Sequence, residues 1–449
     1  MIPGEGGQRM RKLGTFLLIS VMLLSVGAMA FAATKTVTIT YVNFIGKEVD
    51  QVGATIDTYT KAHPNVKFEY QIVDHTTMQQ KYQVMIASNT LPDLFWWNAI
   101  WLSQTLQNQP TTLVDLTPYF DPAFKAKFLS GTWNLLATKD GRIAGFPAEM
   151  QVQAWMLNKS LFDKYGLKLP TTYDELKACV PVFKKNGIAT IAIGTLDPWP
   201  TWGFYQWMQL WGIDDQGDDL FLTHKVKSVD AGYANAFKAV AELKALGAFP
   251  ENNSTINFEA MVQMFLAGKA AIISLPSDQL GKVVGQPIEK DLVFNWLIKL
   301  PNTPYNQNQA IKFVGNGYGV GGNVEKDQDK LKAIVDFNKW RYSDAAFPIA
   351  LKAGFILPVK VAFNPASLGP VMKQQYTLIN DSRKGTITAA YSPYLRWNTD
   401  ANLYSPAWGD PIDNLLVSLL NGSMTAADIA PELAKVDANI DGVIPQLKK

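Results

Sequence analysis

Residues 91–101 read LPDLFWWNAIW, and this stretch predicts the third strand of a parallel sheet. The apolar run Leu94–Trp96 is short and follows a proline, which is typical of a buried strand that begins after a turn. Side chains alternate along a strand, so Trp96 and Trp97 must point to opposite faces. The sequence leaves open which of the two rings faces the interior of the sheet. Asn98 then stands at the end of this strand.

The residues before this stretch predict two further strands and two helices. Apolar and polar residues alternate over 36–42 and 66–72, which indicates strands, while apolar residues recur at helical spacing over 47–63 and 79–88. The order β-α-β-α-β predicts a mostly parallel sheet covered by helices. Ligands bind beyond the carboxyl ends of strands in such sheets, and Trp97 and Asn98 fall at such an end.

A second α/β unit follows, and 449 residues are too many for one ordinary core, so two lobes are expected. Thr172 and Glu175 have the spacing of a capping box that opens a helix, and Thr425 and Asp428 repeat this spacing late in the chain. The further predicted elements are strands at 155–157, 188–193 and 270–274 and helices at 159–165, 258–265, 324–342 and 412–420.

The N-terminus has the pattern of a secretory signal peptide. Basic residues at 9–12 precede an uncharged run that ends in AMAFAA at 28–33, where overlapping A-x-A sites predict cleavage. The alternative is an uncleaved membrane anchor, since the run is nearly long enough to span a bilayer. The only cysteine is Cys179, so the sequence predicts neither an internal disulfide nor a lipid attached at the cleavage site.

The net charge of the mature chain gives no support for two classes of partner. Removing residues 1–32 takes away three basic residues and one acidic residue and leaves 38 of each. A chain without net charge gives no electrostatic case for binding nucleic acid or an anionic membrane.

Several short segments, in order along about 90% of the mature chain, resemble the extracellular solute-binding proteins of ABC importers, in the maltose-type sugar-binding family (family 1). The segments that carry this resemblance are AHPNV at 62–66, MIAS at 85–88, LPD at 91–93, VDLTPY at 114–119, GRIAGFP at 141–147, LNKSLF at 157–162, YGL at 165–167 and FLAGKAA at 265–271.

The resemblance implies the two-lobed α/β fold of periplasmic binding proteins, with a ligand held between lobes that crossing strands connect. On this chain it implies a signal peptide at 1–32, a first lobe of 33–147 and 317–352, and a second lobe of 148–316 and 353–449. The crossings would fall near 145–151, 313–318 and 353–358. It also implies a periplasmic monomer that binds a carbohydrate, delivers it to the transmembrane subunits of an ABC permease, and needs no cofactor.

A sugar offers hydroxyls at its edge and weakly apolar C–H faces, so its site needs flat aromatic rings and polar side chains. In the first lobe the candidates are Phe44, Trp96 or Trp97, and Asn98. Trp101 is instead expected on the following helix, in the core. Asp93 is expected to have a structural role in the turn after the proline.

The other candidates rest partly on the resemblance. Matching positions of the family bind ligand hydroxyls in the first crossing and supply stacking aromatic rings in the second lobe. The alternatives are polar hinge residues that face water and aromatic residues of the core, such as the helical stripe of Phe204 and Trp207. The candidates are Glu149, Gln151, Trp199, Trp202, Asp278, Asn316, Tyr318, Trp397 and Trp408.

Two other functions are alternatives to a sugar-binding receptor. A secreted glycosidase would need a carboxylate pair, for which Glu149 and Asp278 are candidates, but no local motif supports the pair. A receptor for a non-sugar, such as a peptide, a polyamine or a phosphorylated glycerol, is the second alternative. The G-x-G-x-x-G match at 317–322 is no dinucleotide fingerprint, because no helix opens within it; its glycines are expected to let backbones approach closely. The sequence therefore predicts a binding protein and not an enzyme.

Overall fold

The computed structural model describes residues 35–47, 50–129, 131–133, 135–204, 207, 227–294, 298, 300, 312–380 and 410–447. The described part contains two five-stranded sheets with helices packed against them. This arrangement confirms the predicted α/β class. No helix within these ranges is both long enough and apolar enough to cross a membrane.

Ten strands build the two sheets. The first sheet has the order β2-β1-β3-β10-β4, and the second has the order β6-β7-β5-β8, with β9 paired to β5. The strands are β1 Val37–Asn43, β2 Val66–Ile72, β3 Leu94–Asn98, β4 Phe146–Pro147, β5 Gln151–Asn158, β6 Ala189–Ala192, β7 Ala270–Pro276, β8 Leu292–Phe294, β9 Lys312–Phe313 and β10 Asn316–Val320.

Along the chain, helices lie between the strands β1, β2 and β3 of the first sheet and between the strands β5, β6 and β7 of the second. The α-helices are α1 Gln51–Ala62, α2 His75–Ala87, α3 Ala99–Asn108, α4 Pro122–Lys125, α5 Lys159–Lys164, α6 Tyr173–Lys185, α7 Ala231–Leu246, α8 Phe258–Leu266, α9 Gln328–Arg341, α10 Phe347–Lys352, α11 Pro370–Asn380, α12 Asp410–Asn421 and α13 Ile429–Leu447.

The first three strands pair in parallel, as the β-α-β-α-β pattern predicts. β10 then pairs antiparallel with β3 although more than 200 residues separate the two strands. Gly319 of β10 faces α3: a Cβ atom there would lie 2.5 Å from Leu102 Cδ2 and 2.8 Å from Phe95 Cζ. The glycine therefore allows the Leu102 side chain of α3 to pack closely on the sheet. The expected close approach of backbones occurs at Gly322 of the same segment, where a Cβ atom would lie 2.1 Å from Thr111 O.

Capping side chains decide where several helices begin. The helix predicted over 47–63 begins at Gln51, because Asp50 accepts a hydrogen bond from Gly53 N at 2.7 Å. The predicted capping box of α6 is present, with both the Thr172 and Glu175 side chains bonded to the backbone. The single cysteine, Cys179, is buried in α6.

The chain passes between the two sheets at more than one place. It leaves the first sheet after β4 and enters the second at β5, and it returns between β9 and β10. A third segment touches this region, since Met150 N donates to Ile356 O at 2.8 Å. These positions coincide with the segments named as crossings, while the lobe boundaries themselves remain a prediction.

Candidate functional site

The carboxyl end of β3 and the amino end of β10 bring two asparagine side chains together. Asn98 and Asn316 are register partners, and Asn98 Nδ2 donates to Asn316 Oδ1 at 3.1 Å. Asn316 Nδ2 donates in turn to Glu149 Oε1 at 3.3 Å. Glu149 lies in the connection between the two sheets, two residues after β4. A chain of hydrogen bonds thus runs from a strand end of the first sheet into the connection.

The second sheet supplies the other half of this group. Gln151 begins β5, and Asp278 lies in the short 3-10 helix Ser277–Lys282 that directly follows β7. The side chains of Gln151 and Gln279 lie beside the Asp278 carboxyl group and stabilise its charged form. We call the residues of both halves the polar cluster: Asn98, Glu149, Gln151, Asp278, Gln279 and Asn316.

Burial shifts the acid–base equilibria of the two carboxyl groups. Glu149 is only 2% exposed. Loss of hydration, together with the nearby Asp278 carboxyl group, raises the pKa of Glu149 well above its ordinary range. Loss of hydration also raises the pKa of Asp278. Two carboxyl groups in this environment retain a proton more readily than in water, and a protonated carboxyl group can donate as well as accept a hydrogen bond.

The pleat of β3 separates the two adjacent tryptophans. Trp96 lies on the same face as Asn98 and packs edge-on against Phe44, with ring centroids 4.7 Å apart. Phe44 is half-buried and follows the carboxyl end of β1. The Phe44–Trp96 pair therefore forms an aromatic wall on the face of the sheet that carries Asn98.

Trp97 lies on the opposite face, within the core of the first lobe. Its ring is fully buried and packs against Tyr82, with centroids 5.3 Å apart. Its Nε1 donates to Gln79 Oε1 at 2.9 Å. Both rings are buried: Trp97 is 0% exposed and offers a ligand no free face in this structure, and Trp96 is 6% exposed on the face that carries Asn98.

Asp93 and Trp101 flank this strand, and the structure agrees with the expectation for the first more fully than for the second. Asp93 is structural, as expected, since it accepts from Thr40 N at 2.9 Å and pairs with Lys330 Nζ at 2.9 Å. Trp101, expected in the core, is only half-buried: it stacks on Trp97 at a centroid distance of 6.2 Å and lines a surface groove. It lies on the helix after β3 and packs against the core, as expected, but its place between α3 and α2 leaves the ring partly exposed.

Tyr318 is buried inside the protein. Its ring is 1% exposed, and the Arg341 guanidinium carbon lies 4.6 Å from the ring centroid. Burial raises the pKa of Tyr318 well above its ordinary value. The residue was a candidate for ligand contact, but its ring is covered by protein, because β10 lies between two strands and under a helix that carries the arginine.

The remaining tryptophan candidates belong to the second half of the chain. Trp199 and Trp202 lie in the 3-10 helix Trp199–Phe204 after β6. Their backbone is held near β5, since Trp155 Nε1 donates to Gly203 O at 2.8 Å. Trp397 and Trp408 lie outside the described residues.

Sequence reasoning missed one member of the polar cluster. Gln279 is 7% exposed and its side chain stabilises the charged form of the Asp278 carboxyl group, but no motif marks it in the sequence, because its role depends on where β7 ends in space. Within the described ranges, no three His, Cys, Asp or Glu side chains come together as a metal site. The arrangement joins amide and carboxyl groups, and it is therefore suited to bind a ligand through many directional hydrogen bonds.

Comparison with known proteins agrees with this architecture. Residues 40–346 match the family model described as bacterial extracellular solute-binding protein. An uncharacterized ABC transporter extracellular-binding protein of Pyrococcus horikoshii is 26% identical over 212 residues, which cover 42% of this chain and 49% of that protein. The chain spans less than half of the length of the curated relatives that it matches.

Solved structures share the fold over nearly the whole chain. A structure from a study of xylan utilization by Caldanaerobius polysaccharolyticus has a TM-score of 0.74 at 21% identity and covers 90% of this chain and 100% of that one. The maltose-bound MalE3 of T. maritima has a TM-score of 0.71 at 19% identity and covers 92% and 99%. These likenesses confirm the two-lobed binding-protein fold. Because the family model covers more than half of the sequence, the chain belongs to the bacterial extracellular solute-binding proteins, which are binding proteins and not enzymes.

Proposed function

We propose that this chain is the substrate-binding receptor of an ABC importer that binds a neutral mono- or oligosaccharide between its two lobes. One observation carries the proposal: the polar cluster joins side chains from the ends of both sheets at the point where the chain passes between them. Amide and carboxyl groups are the partners that ring hydroxyls require. The Phe44–Trp96 pair lies on the face of β3 that carries Asn98, and since Trp96 is 6% exposed, the pair would supply apolar surface for a sugar face once the lobes open.

An unpaired acceptor supports a ligand at this place. Asp278 Oδ1 is buried and has no hydrogen-bond partner among the described residues. A buried polar atom without a partner is unfavourable by about 1–3 kcal/mol. A hydroxyl group of a bound sugar would satisfy this oxygen. The ligand would thus restore a bond that the protein alone leaves unmade.

The charge state of the cluster favours a neutral ligand. Burial raises the pKa values of both Glu149 and Asp278, so the pair carries less negative charge than two free carboxylates. An anion would meet repulsion from whatever charge remains. The same pair favours one alternative, an amine-bearing ligand such as a polyamine, because a cation would stabilise both carboxylates.

Burial also supports a hinge mechanism. Glu149 and Asn316 are 2% and 3% exposed, so a sugar reaches them only when the residues that cover them move apart. The connections after β4 and before β10 are the short segments about which such a motion would turn. A ligand that contacts both lobes only in the closed arrangement favours closure, and the closed form would then be presented to a membrane permease.

The proposal includes export of the protein to the periplasm. The family is extracellular, and the sequence predicts a cleaved signal peptide at 1–32 without a lipid-anchor cysteine. These residues lie outside the described part of the chain, so periplasmic location stays part of the proposal. N-terminal sequencing of the exported protein tests it: a mature chain that begins near residue 33 supports cleavage, and an intact N-terminus contradicts it.

The ligand class is tested by calorimetry of the purified mature chain with two panels of compounds. Neutral mono- and oligosaccharides form the first panel, and spermidine, putrescine and phosphorylated glycerol form the second. We expect saturable binding in the first panel only. Binding confined to the second panel would replace the carbohydrate proposal with a receptor for the compound that binds.

A variant pair tests the position of the site. Asn316→Ala removes the amide that bonds Asn98 and Glu149, and we expect affinity to fall by about 1–3 kcal/mol. Asn253→Ala is the matched control, because Asn253 is similarly buried but bonds Thr195, Pro250 and Leu420 and no member of the polar cluster. The control is expected to lower stability without changing affinity. Equal affinity in both variants would place the ligand elsewhere.

A further inference from the structure

A groove of about 350 Å³ lies between helices α2 and α3 of the first lobe. We call it the α2–α3 groove, and its polar lining includes Gln79, Gln83, Gln104, Asn108 and Gln109. None of the described side chains that line it is charged. None of them belongs to the polar cluster either.

The groove and the polar cluster lie on opposite faces of β3. Trp97 points toward α2 and α3, where its Nε1 bonds Gln79, a lining residue of the groove. Asn98 and Trp96 point to the other face, where the polar cluster begins. A molecule in the groove would therefore be separated from the inter-lobe site by the sheet itself.

The buried side chain of Gln104 is a second, independent observation that indicates a ligand in the groove. It lines the groove, it is 5% exposed, and neither its Nε2 nor its Oε1 has a hydrogen-bond partner among the described residues. A buried amide with both ends unpaired is unfavourable unless a further group supplies a donor and an acceptor. A hydroxyl group can do both.

Trp101 adds an aromatic surface to this amide-rich lining. Its half-buried ring lines the groove and stacks on Trp97, with an interplanar angle of 13°. The stacking and the Gln79 bond hold the wall of the groove in one arrangement. Amides that donate and accept, beside one flat ring, are the groups that a small hydroxylated molecule requires.

We propose that the α2–α3 groove is a second ligand site, which takes an uncharged hydroxylated molecule the size of a monosaccharide. Its volume is at the lower end of small-molecule pockets, which begin at about 300 Å³. An ion would find no opposite charge among the described lining residues. The inference stands apart from the inter-lobe site, since it uses none of the same side chains.

The test is an NMR titration of the ¹⁵N-labelled mature chain, in which the Trp101 indole N–H is the reporter. The probes are glucose, galactose and xylose, each added up to saturation, and Trp101→Phe assigns the resonance. We expect a saturable shift of this resonance with at least one probe. The absence of a saturable shift with all three would overturn the proposal.

A matched pair of surface variants localises the site. Gln83 and Gln80 are both exposed residues of α2, but only Gln83 lines the groove. Gln83→Ala is expected to weaken binding by about tenfold, and Gln80→Ala to leave it unchanged. Gln104→Leu, which removes both unpaired amide atoms, is expected to abolish it. Equal affinity in wild type, Gln83→Ala and Gln104→Leu would contradict the assignment.

Asn316→Ala separates this proposal from the inter-lobe one. The variant disrupts the polar cluster but leaves the groove intact, so the Trp101 shift should persist at wild-type affinity. Should Asn316→Ala remove the Trp101 shift as well, the resonance reports inter-lobe binding and the second site does not exist. Should Gln104→Leu fail to fold, the exposed Gln83 and Gln80 variants still decide the question.

Discussion

Trp97 and Phe44 are both aromatic residues of the first lobe, but their surroundings predict opposite effects of substitution. Trp97 is fully buried, so Trp97→Ala leaves a large cavity and an unpaired Gln79. We expect a loss of about 3–5 kcal/mol in the free energy of unfolding, measured by urea denaturation. Phe44 is half-buried beside Trp96, so Phe44→Ala should mainly weaken ligand binding, measured by calorimetry.

Each of the two expectations can be contradicted by a measurement. A Trp97→Ala protein of wild-type stability would mean that its ring is not part of the core. A Phe44→Ala protein with wild-type affinity and lowered stability would mean that the Phe44–Trp96 pair is a packing contact and not a ligand wall.

Glu149 makes stability depend on pH. Burial raises its pKa from the ordinary 4.5 to about 8. A carboxyl group whose pKa rises on folding contributes stability that is fully present below its unfolded pKa and is lost as pH rises through its folded pKa. We therefore expect the free energy of unfolding to fall between about pH 5 and pH 8, measured by urea denaturation across this range.

Glu149→Gln provides the control for this titration, because glutamine keeps the hydrogen bond from Asn316 possible but binds no proton. Its stability should change less over the same pH range than that of the wild type. Two parallel profiles would show that Glu149 does not titrate in this window.

At the scale of secondary-structure elements, the glycine at position 319 allows β10 to lie in the first sheet beneath α3. Gly319→Ala would bring a Cβ atom within 2.5 Å of Leu102 Cδ2 and 2.8 Å of Phe95 Cζ, so these two buried side chains would have to repack. We expect a loss of about 1–3 kcal/mol in the free energy of unfolding, measured by urea denaturation.

Gly442→Ala is the matched control for this substitution. Gly442 lies within α13, and a Cβ atom there would meet nothing within 4 Å. Alanine also favours helix over glycine, so this variant should gain up to about 1 kcal/mol. Equal stability changes in the two variants would contradict the packing role of Gly319.

Most element types could be predicted from the sequence, but several boundaries could not. Periodicity predicted β1, β2, β3 and the helices between them, because side-chain repeats of 2 and 3.6 residues are local properties. The helix predicted over 324–342 divides instead, with a 3-10 segment before α9, because Asp327 caps Lys330 N. Caps of this kind depend on which way one side chain turns.

At the scale of the whole molecule, the proposed function requires a ligand-dependent change of shape. The cluster residues Glu149 and Asn316 are nearly inaccessible, so binding must follow or cause a relative motion of the lobes. We expect a smaller radius of gyration in small-angle X-ray scattering when saturating sugar is added. Asn316→Ala should need more sugar to reach the same value.

An unchanged radius of gyration at full occupancy would remove the hinge mechanism, while the carbohydrate proposal would still stand on calorimetry. A change produced equally by a sugar that does not bind would show that the solvent and not the ligand is responsible. Bovine serum albumin with the same sugar controls for that effect.

The sequence by itself determined the α/β class, the two-sheet organisation expected for its length, the capping boxes and the family resemblance, since all of these rest on local patterns and their order. It also singled out Asn98, Glu149, Gln151, Asp278 and Asn316 as candidate ligand-binding residues. Only the tertiary structure decided that these five belong to one cluster, that Trp96 and not Trp97 shares a face of β3 with Asn98, and that Trp101 lines a groove. The physical reason is distance along the chain: Asn98 and Asn316 meet through strand pairing between β3 and β10, and no local pattern records a contact across 218 residues.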